Sequence, residues 1–425
     1  MAEEVLHNPG CDSSGAAARP PRGRGKKSFL LAFIVSCFIF WWLRSVLVRF
    51  VFHMPDTVED GTLAASLLAL GCFTLGYLLP TPGRAARNVP DLLLEACGEF
   101  AYKATVALFF PALVIALVLL RGRIAVEYGS ADPTPRLDQA VLYTHLFFGF
   151  MAIGAADPER RGYRRIWIAT ALITLPRLLV SLHGARFFLA QALVPVLLIA
   201  IARGWIRPSA RRLLQLGAIA LFLIFVPAMT RGDQVMGQDR DLAIFMGSDV
   251  LGLFQNNMDL SLNNRCPPLL ISLTAKTIPY SLLGVCVMDI GGLKNMPATL
   301  ERILTDNDPG SFHGTVSGTG SNYLLELYVT GGMFAVYLGS AVFGFTCRRF
   351  VKWIGLRSLF AGIWAECLTR ALLAPRGNLG YVYERIPSLV LATLAVIASV
   401  ASVRLIRQEY GDGSMGAIPA LGERQ

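Results

Sequence analysis

The chain has 425 residues, of which 54% are hydrophobic and only 16% charged, with a mean hydropathy of +0.52. Ordinary water-soluble domains do not combine so much apolar surface with so few charges, so a soluble enzyme is excluded and an all-α, polytopic membrane helix bundle is expected. The net charge of +10 sits beside the apolar runs, which makes anionic lipid headgroups its counter-charge and leaves no role for nucleic acid.

Residues 1–27 read as a disordered basic tail, with glycine and alanine followed by Arg19, Arg22, Arg24, Lys26 and Lys27. The apolar run Phe29–Leu43 has no small-residue cleavage site, so it is expected to be a retained first anchor and not a signal peptide. Hydropathy then predicts ten spans, about 28–49, 61–80, 99–120, 139–156, 166–182, 187–202, 213–229, 322–346, 358–374 and 386–405. Seven of them fill residues 28–229 and three fill 322–405; residues 230–321 form one large outer loop, and 406–425 are a second cytoplasmic tail. The assignment of sides follows the basic residues. Arg84 and Arg87, Arg160 to Arg165, Arg203 to Arg212, and Arg348 to Arg357 all fall in alternate loops on the side of the tail, so both termini are expected in the cytoplasm. The apolar stretch Pro267–Ile290 carries Lys276 and Pro279 and is read as interfacial or re-entrant, because another crossing would put the Arg348–Arg357 patch outside.

The cysteines form no CxxC pair, which leaves no sign of a metal knuckle or dithiol centre. Cys266 and Cys286 share the large loop, and both a disulfide and simple burial of Cys286 are open to them. Phosphate-loop, serine-hydrolase elbow and HExxH signatures are absent from the sequence.

The chemical signal lies in arginines. Arg177 and Arg370 have apolar residues on both flanks within predicted spans, where a charge is costly and ordinarily faces the bundle interior. Arg186, Arg231 and Arg376 fall at span ends on the same, outer side. The forked, permanently charged guanidinium suits phosphate oxygens, so these five are the candidate diphosphate or substrate ligands. Glu366, four residues before Arg370, is its expected partner. Arg49 and Arg385, by contrast, read as interfacial anchors. A loop rich in glycine and hydroxyls, Ser311–Ser321, leads into the eighth span and offers two proton acceptors, His313 and Glu326. Asp56, Glu59 and Asp60 in the first outer loop are read as solubilising residues, and no metal site or cofactor is assigned.

Three stretches resemble the bacterial O-antigen and capsular polysaccharide polymerases of the Wzy type: Leu175–Leu189 with its arginine-bearing helix and Gly-Ala-Arg corner, Gly318–Gly339 with an internal glutamate and a glycine pair, and Leu372–Asn378 with an Arg-Gly element. The resemblance implies an inverting, metal-independent glycosyltransferase of the cytoplasmic (inner) membrane with an outward-facing site. It would join undecaprenyl-diphosphate-linked oligosaccharide repeats into a surface polysaccharide, in company with a flippase and a chain-length regulator. Two alternatives stay open: an O-antigen ligase-like transferase, to which His313 is also suited, and a transporter or flippase of lipid-linked sugars.

Overall fold

The computed structural model describes residues 24–46, 49–50, 58–80, 90–123, 136–158, 163–182, 187–206, 323–376, 379–383 and 386–413. Among them every regular element is helical. Helix α1 (Arg24–Cys37) runs on through a π-helical stretch, Phe38–Trp42, into Leu43–Val46; α2 (Asp60–Leu78), α3 (Asp91–Arg123), α4 (Arg136–Ala155), α5 (Tyr163–Leu182) and α6 (Phe187–Ala202) follow. After these come α7 (Tyr323–Ile354), α8 (Ala361–Leu373), a 3₁₀ turn (Ala374–Arg376), α9 (Leu379–Tyr383) and α10 (Ile386–Gly413). The predicted span 213–229, the loop 230–321 and the Cys266/Cys286 question lie outside the described residues.

Among the described residues, four helical segments are long and apolar enough to cross a membrane: Asp60–Leu78, Asp91–Leu119, Thr330–Ile354 and Leu389–Ile406. Shorter apolar helices are Lys27–Trp42, Val141–Ala155 and Leu189–Ala202. The chain is thus a polytopic helical membrane protein. Large apolar residues such as Leu75, Phe110, Phe334 and Leu405 stay exposed on its perimeter, as a surface bathed in hydrocarbon allows.

One end of the bundle is tied together by basic side chains. The Arg203 guanidinium, just past α6, donates to the carbonyls of Gly154 (2.7 Å), Leu356 (2.7 Å), Ile354 (3.3 Å) and Ala156 (3.4 Å). These are chain ends of α4 and α7, where helical carbonyls lack intrahelical donors. Burial, then the neighbouring Arg357 charge, hold the Arg203 pKa down to about 10 against the pull of Asp157, so it remains cationic at neutral pH. Arg357 donates to the Ala155 carbonyl at 2.9 Å and faces Asp91, Glu95 and Asp157 at 3.5–3.8 Å. Arg165 pairs with Glu99 at 2.6 Å, Arg348 donates to the Tyr77 carbonyl at 2.8 Å, and Arg404 to that of Leu92 at 3.0 Å. The ends of α2, α4, α6, α7 and α10 therefore meet the starts of α3, α5 and α8 on one face, the alternation that the basic loops predict.

The opposite face is fastened differently. Trp41 Nε1 donates to the Pro375 carbonyl at 2.9 Å, and Ser36 Oγ bonds the Leu372 carbonyl, joining α1 to the end of α8. Arg49 pairs with Asp60 at 2.6 Å and donates to the Val58 carbonyl at 2.6 Å, so the expected anchor and one of the loop acids bind each other.

Helix α7 departs from the single span expected over 322–346. Gly331 and Gly332 break it, and Gly332 takes φ +64° and ψ −161°, a conformation open essentially to glycine alone. The chain reverses there. The ring of Tyr323 lies 5.5 Å from that of Phe343, and Leu327 packs so closely on Gly339 that a Cβ there would fall 2.4 Å from its Cδ2. Residues 323–330 consequently fold back along 335–343, and the crossing proper is Thr330–Ile354. This crossing packs against α2 through glycines: a Cβ on Gly76 would fall 1.9 Å from the Ala341 carbonyl oxygen, and one on Gly344 2.0 Å from that of Phe73. Small residues of this kind let membrane helices approach until their backbones touch.

Candidate functional site

The two arginines singled out within spans are both 1% exposed, among the most deeply buried large side chains described. Helix rise places them away from the basic face. Arg177 stands twelve positions beyond Arg165 on α5, about 18 Å along the axis, and Arg370 nine beyond Ala361 on α8, about 13 Å. Neither α5 nor α8 is among the long apolar spans found among the described residues, and Arg177 of α5 and Glu366 and Arg370 of α8 are buried within the bundle.

Arg370 is held by Glu366 one turn earlier, with Nη2 at 3.0 Å and Nε at 3.3 Å from the same carboxylate oxygen. That is the i,i+4 partner expected from the sequence. Arg177 takes another partner: its guanidinium lies over the Tyr143 ring of α4, 4.8 Å from the centroid. An aromatic face attracts the cation without supplying a counter-charge, so the positive charge of Arg177 is placed and not neutralised by this contact.

Glu326, 1% exposed, belongs to the folded-back start of α7. Its Oε2 accepts the Leu379 backbone N–H at 2.5 Å. The Arg376 turn is thereby bracketed, with the Pro375 carbonyl held by Trp41 on one side and the Leu379 amide held by Glu326 on the other. Arg376 lies in the 3₁₀ turn between them; its side chain, and the whole of Arg186, Arg231 and His313, lie outside the described residues.

Three buried polar residues at this depth carried no distinguishing signal in the sequence: His145, Gln191 and Tyr323. A single histidine, glutamine or tyrosine inside an apolar run has no periodic signature, and only packing shows which way it faces. A cleft on the basic face, lined by Glu95, Glu99, Asp157, Arg165 and Arg357, does not adjoin the buried arginines, and its charges are engaged with one another.

Fold and site together define a polytopic α-helical membrane protein whose interior, away from its basic face, buries two arginines. Residues 306–406, about a quarter of the chain, match the family model described as O-antigen polysaccharide polymerase Wzy. The matched stretch contains His313, Glu326, Glu366, Arg370 and Arg376, whereas Arg177, Arg186 and Arg231 precede it. No curated protein and no solved structure matches the chain.

Proposed function

We propose that the chain polymerises undecaprenyl-diphosphate-linked oligosaccharide repeats into a surface polysaccharide at the outer face of the inner membrane, by inverting glycosyl transfer that needs no metal. The observation that carries this reading is the burial of two arginines, Arg177 and Arg370, about 18 and 13 Å along their helices from the basic face. Reading the basic face as cytoplasmic by the positive-inside rule puts both termini there and the arginines toward the outer leaflet, where a flipped lipid-linked substrate would present its diphosphate.

In this mechanism an acceptor hydroxyl loses its proton to a protein base, its oxygen attacks the anomeric carbon of the growing chain, and the bond from that carbon to the lipid diphosphate breaks. Positive charge fixed beforehand lowers the barrier by stabilising the departing diphosphate. Arg177 is assigned that role together with Arg370, Arg376, Arg186 and Arg231. His313 and Glu326 remain the candidate proton acceptors. The bond from Leu379 favours for Glu326 a second task, that of positioning the Arg376 turn. A flippase and a chain-length regulator are the expected partners.

The test is the glycan profile of cells that lack this protein, resolved by size and divided into lipid-linked and finished surface polymer. Single repeats on the lipid carrier, with surface glycan capped at one unit, are the expected result. Full-length polymer stranded on its carrier would mean a ligase, and an unchanged profile would remove the glycan reading in favour of a transporter.

A further inference from the structure

Beside the arginines the bundle buries polar groups for which the mechanism above has no use. Gln191 on α6 is fully buried, and neither its amide oxygen nor its amide nitrogen has a hydrogen-bond partner among the described residues. His145 on α4 is 2% exposed; it is hydrogen-bonded to the backbone at Thr105, while its Nε2 is likewise without a partner among those residues. Such groups normally find partners, most of all in a membrane, where no bulk water can replace them.

Helix register sets His145 opposite Arg177 and puts Gln191 at the same height on a neighbouring helix. A Cβ on Gly149 of α4 would sit 2.2 Å from Ile173 of α5, and Leu142 and Val180 share one apolar cluster. Both pairings describe the same antiparallel register, which sets His145 opposite Arg177. Gln191 lies twelve residues before Arg203 on α6, and Arg177 lies twelve after Arg165 on α5, so both stand about 18 Å from the basic face. Helix α6 packs against α5, α4 and α8, the elements that carry Arg177, His145 and Arg370.

Arginine chemistry suits a phosphate; an imidazole nitrogen lone pair and a primary amide suit a neutral group that both donates and accepts. We propose that His145 and Gln191 form a hydroxyl-binding subsite that holds a sugar ring of the lipid-linked glycan beside the arginines. The His145 Nε2 accepts from one hydroxyl, and the Gln191 amide donates to and accepts from others. This rests on the transferase reading and adds to it the group that orients the saccharide, as distinct from the groups that neutralise the diphosphate.

The experiment complements cells lacking the protein with the wild-type chain or with Gln191→Leu, His145→Phe or His145→Gln, and follows three readouts: the glycan ladder, the amount of protein in the membrane, and thermal unfolding in detergent. Apolar replacement of a buried polar group that has no partner is neutral or stabilising when that group does nothing. The subsite predicts that Q191L accumulates and unfolds at or above the wild-type temperature, and that both Q191L and H145F make about tenfold fewer chains longer than one repeat. H145Q, which can still accept a hydrogen bond, recovers part of the ladder, and that recovery keeps the test decisive if H145F proves unstable. Wild-type ladders from Q191L and H145F would overturn the subsite and leave the transferase reading untouched. Failure of the wild-type chain itself to restore a ladder would overturn the transferase reading, and the subsite with it.

Discussion

The carboxylate of Glu326 accepts the backbone N–H of Leu379 at 2.5 Å, tying the folded-back start of α7 to the turn that carries Arg376. Substitution separates positioning from proton transfer. Glu326→Gln keeps an oxygen that can accept from Leu379, so the positioning role predicts a nearly normal glycan ladder for E326Q and a loss of about tenfold for E326A. If E326Q falls as far as E326A, the carboxylate is needed for its charge or basicity, and Glu326 is a proton acceptor.

The reversal itself depends on Gly332. At φ +64° and ψ −161° an L side chain is strained whatever the space around it, and among the described residues no neighbouring side chain or helix lies within 4 Å of where its Cβ would be. Gly332→Ala is expected to cost on the order of 1–3 kcal/mol from the backbone alone. Thermal unfolding in detergent measures it, and an unchanged midpoint would mean that the reversal is easily remodelled.

Removing Arg370 alone takes from the buried Glu366 carboxylate, 7% exposed, its guanidinium partner at 3.0 Å. A loss of about 3–5 kcal/mol is expected for R370A, which by itself says nothing about function. The informative variant is E366L combined with R370M. Removal of both charges is expected to recover the stability, and if Arg370 serves the diphosphate, long-chain glycan stays absent. A ladder regained along with stability would reduce Arg370 to a structural role.

Arg177 calls for a different comparison, because its described contact is the Tyr143 ring at 4.8 Å. Arg177→Lys keeps the charge but loses the planar fork, and is expected to make far fewer long chains while accumulating normally. Tyr143→Leu removes the aromatic face and is expected to cost about 0.5–2 kcal/mol of stability with a smaller fall in chain length. Equal ladders from wild type and R177K would show that charge suffices without bidentate geometry.

On the opposite face, Arg203→Ala leaves the carbonyls of Gly154, Leu356, Ile354 and Ala156 without their shared donor. A loss on the order of 2 kcal/mol is expected, with glycan length unchanged in whatever protein still folds. A shortened ladder at normal protein levels would extend the functional machinery to this face.

Much of this molecule was legible in its sequence because the membrane imposes local rules. Run length and hydropathy mark out helices, and among the described residues the starts of α3, α5 and α8 meet the ends of α2, α4, α6, α7 and α10 on one basic face. Arg177 and Arg370 stood out for the same reason, since a charge amid apolar residues requires a protein environment. Glu366 could be paired with Arg370 because an i,i+4 contact is set by helix geometry alone.

Everything that depends on register between distant segments was decided by packing. Gly331 and Gly332 look like small residues inside a span; that they reverse the chain follows from Tyr323 reaching Phe343 and Leu327 filling the space over Gly339. Trp41 finds the Pro375 carbonyl, Arg177 finds Tyr143, and His145 comes to face Arg177, all across separations in sequence that hydropathy does not connect. The local pattern determines that each helix forms and crosses, because the cost of bare backbone and bare charge in hydrocarbon is paid residue by residue. Which polar groups meet inside the bundle is decided by the close fit of one helix surface on another, a property that no single segment carries.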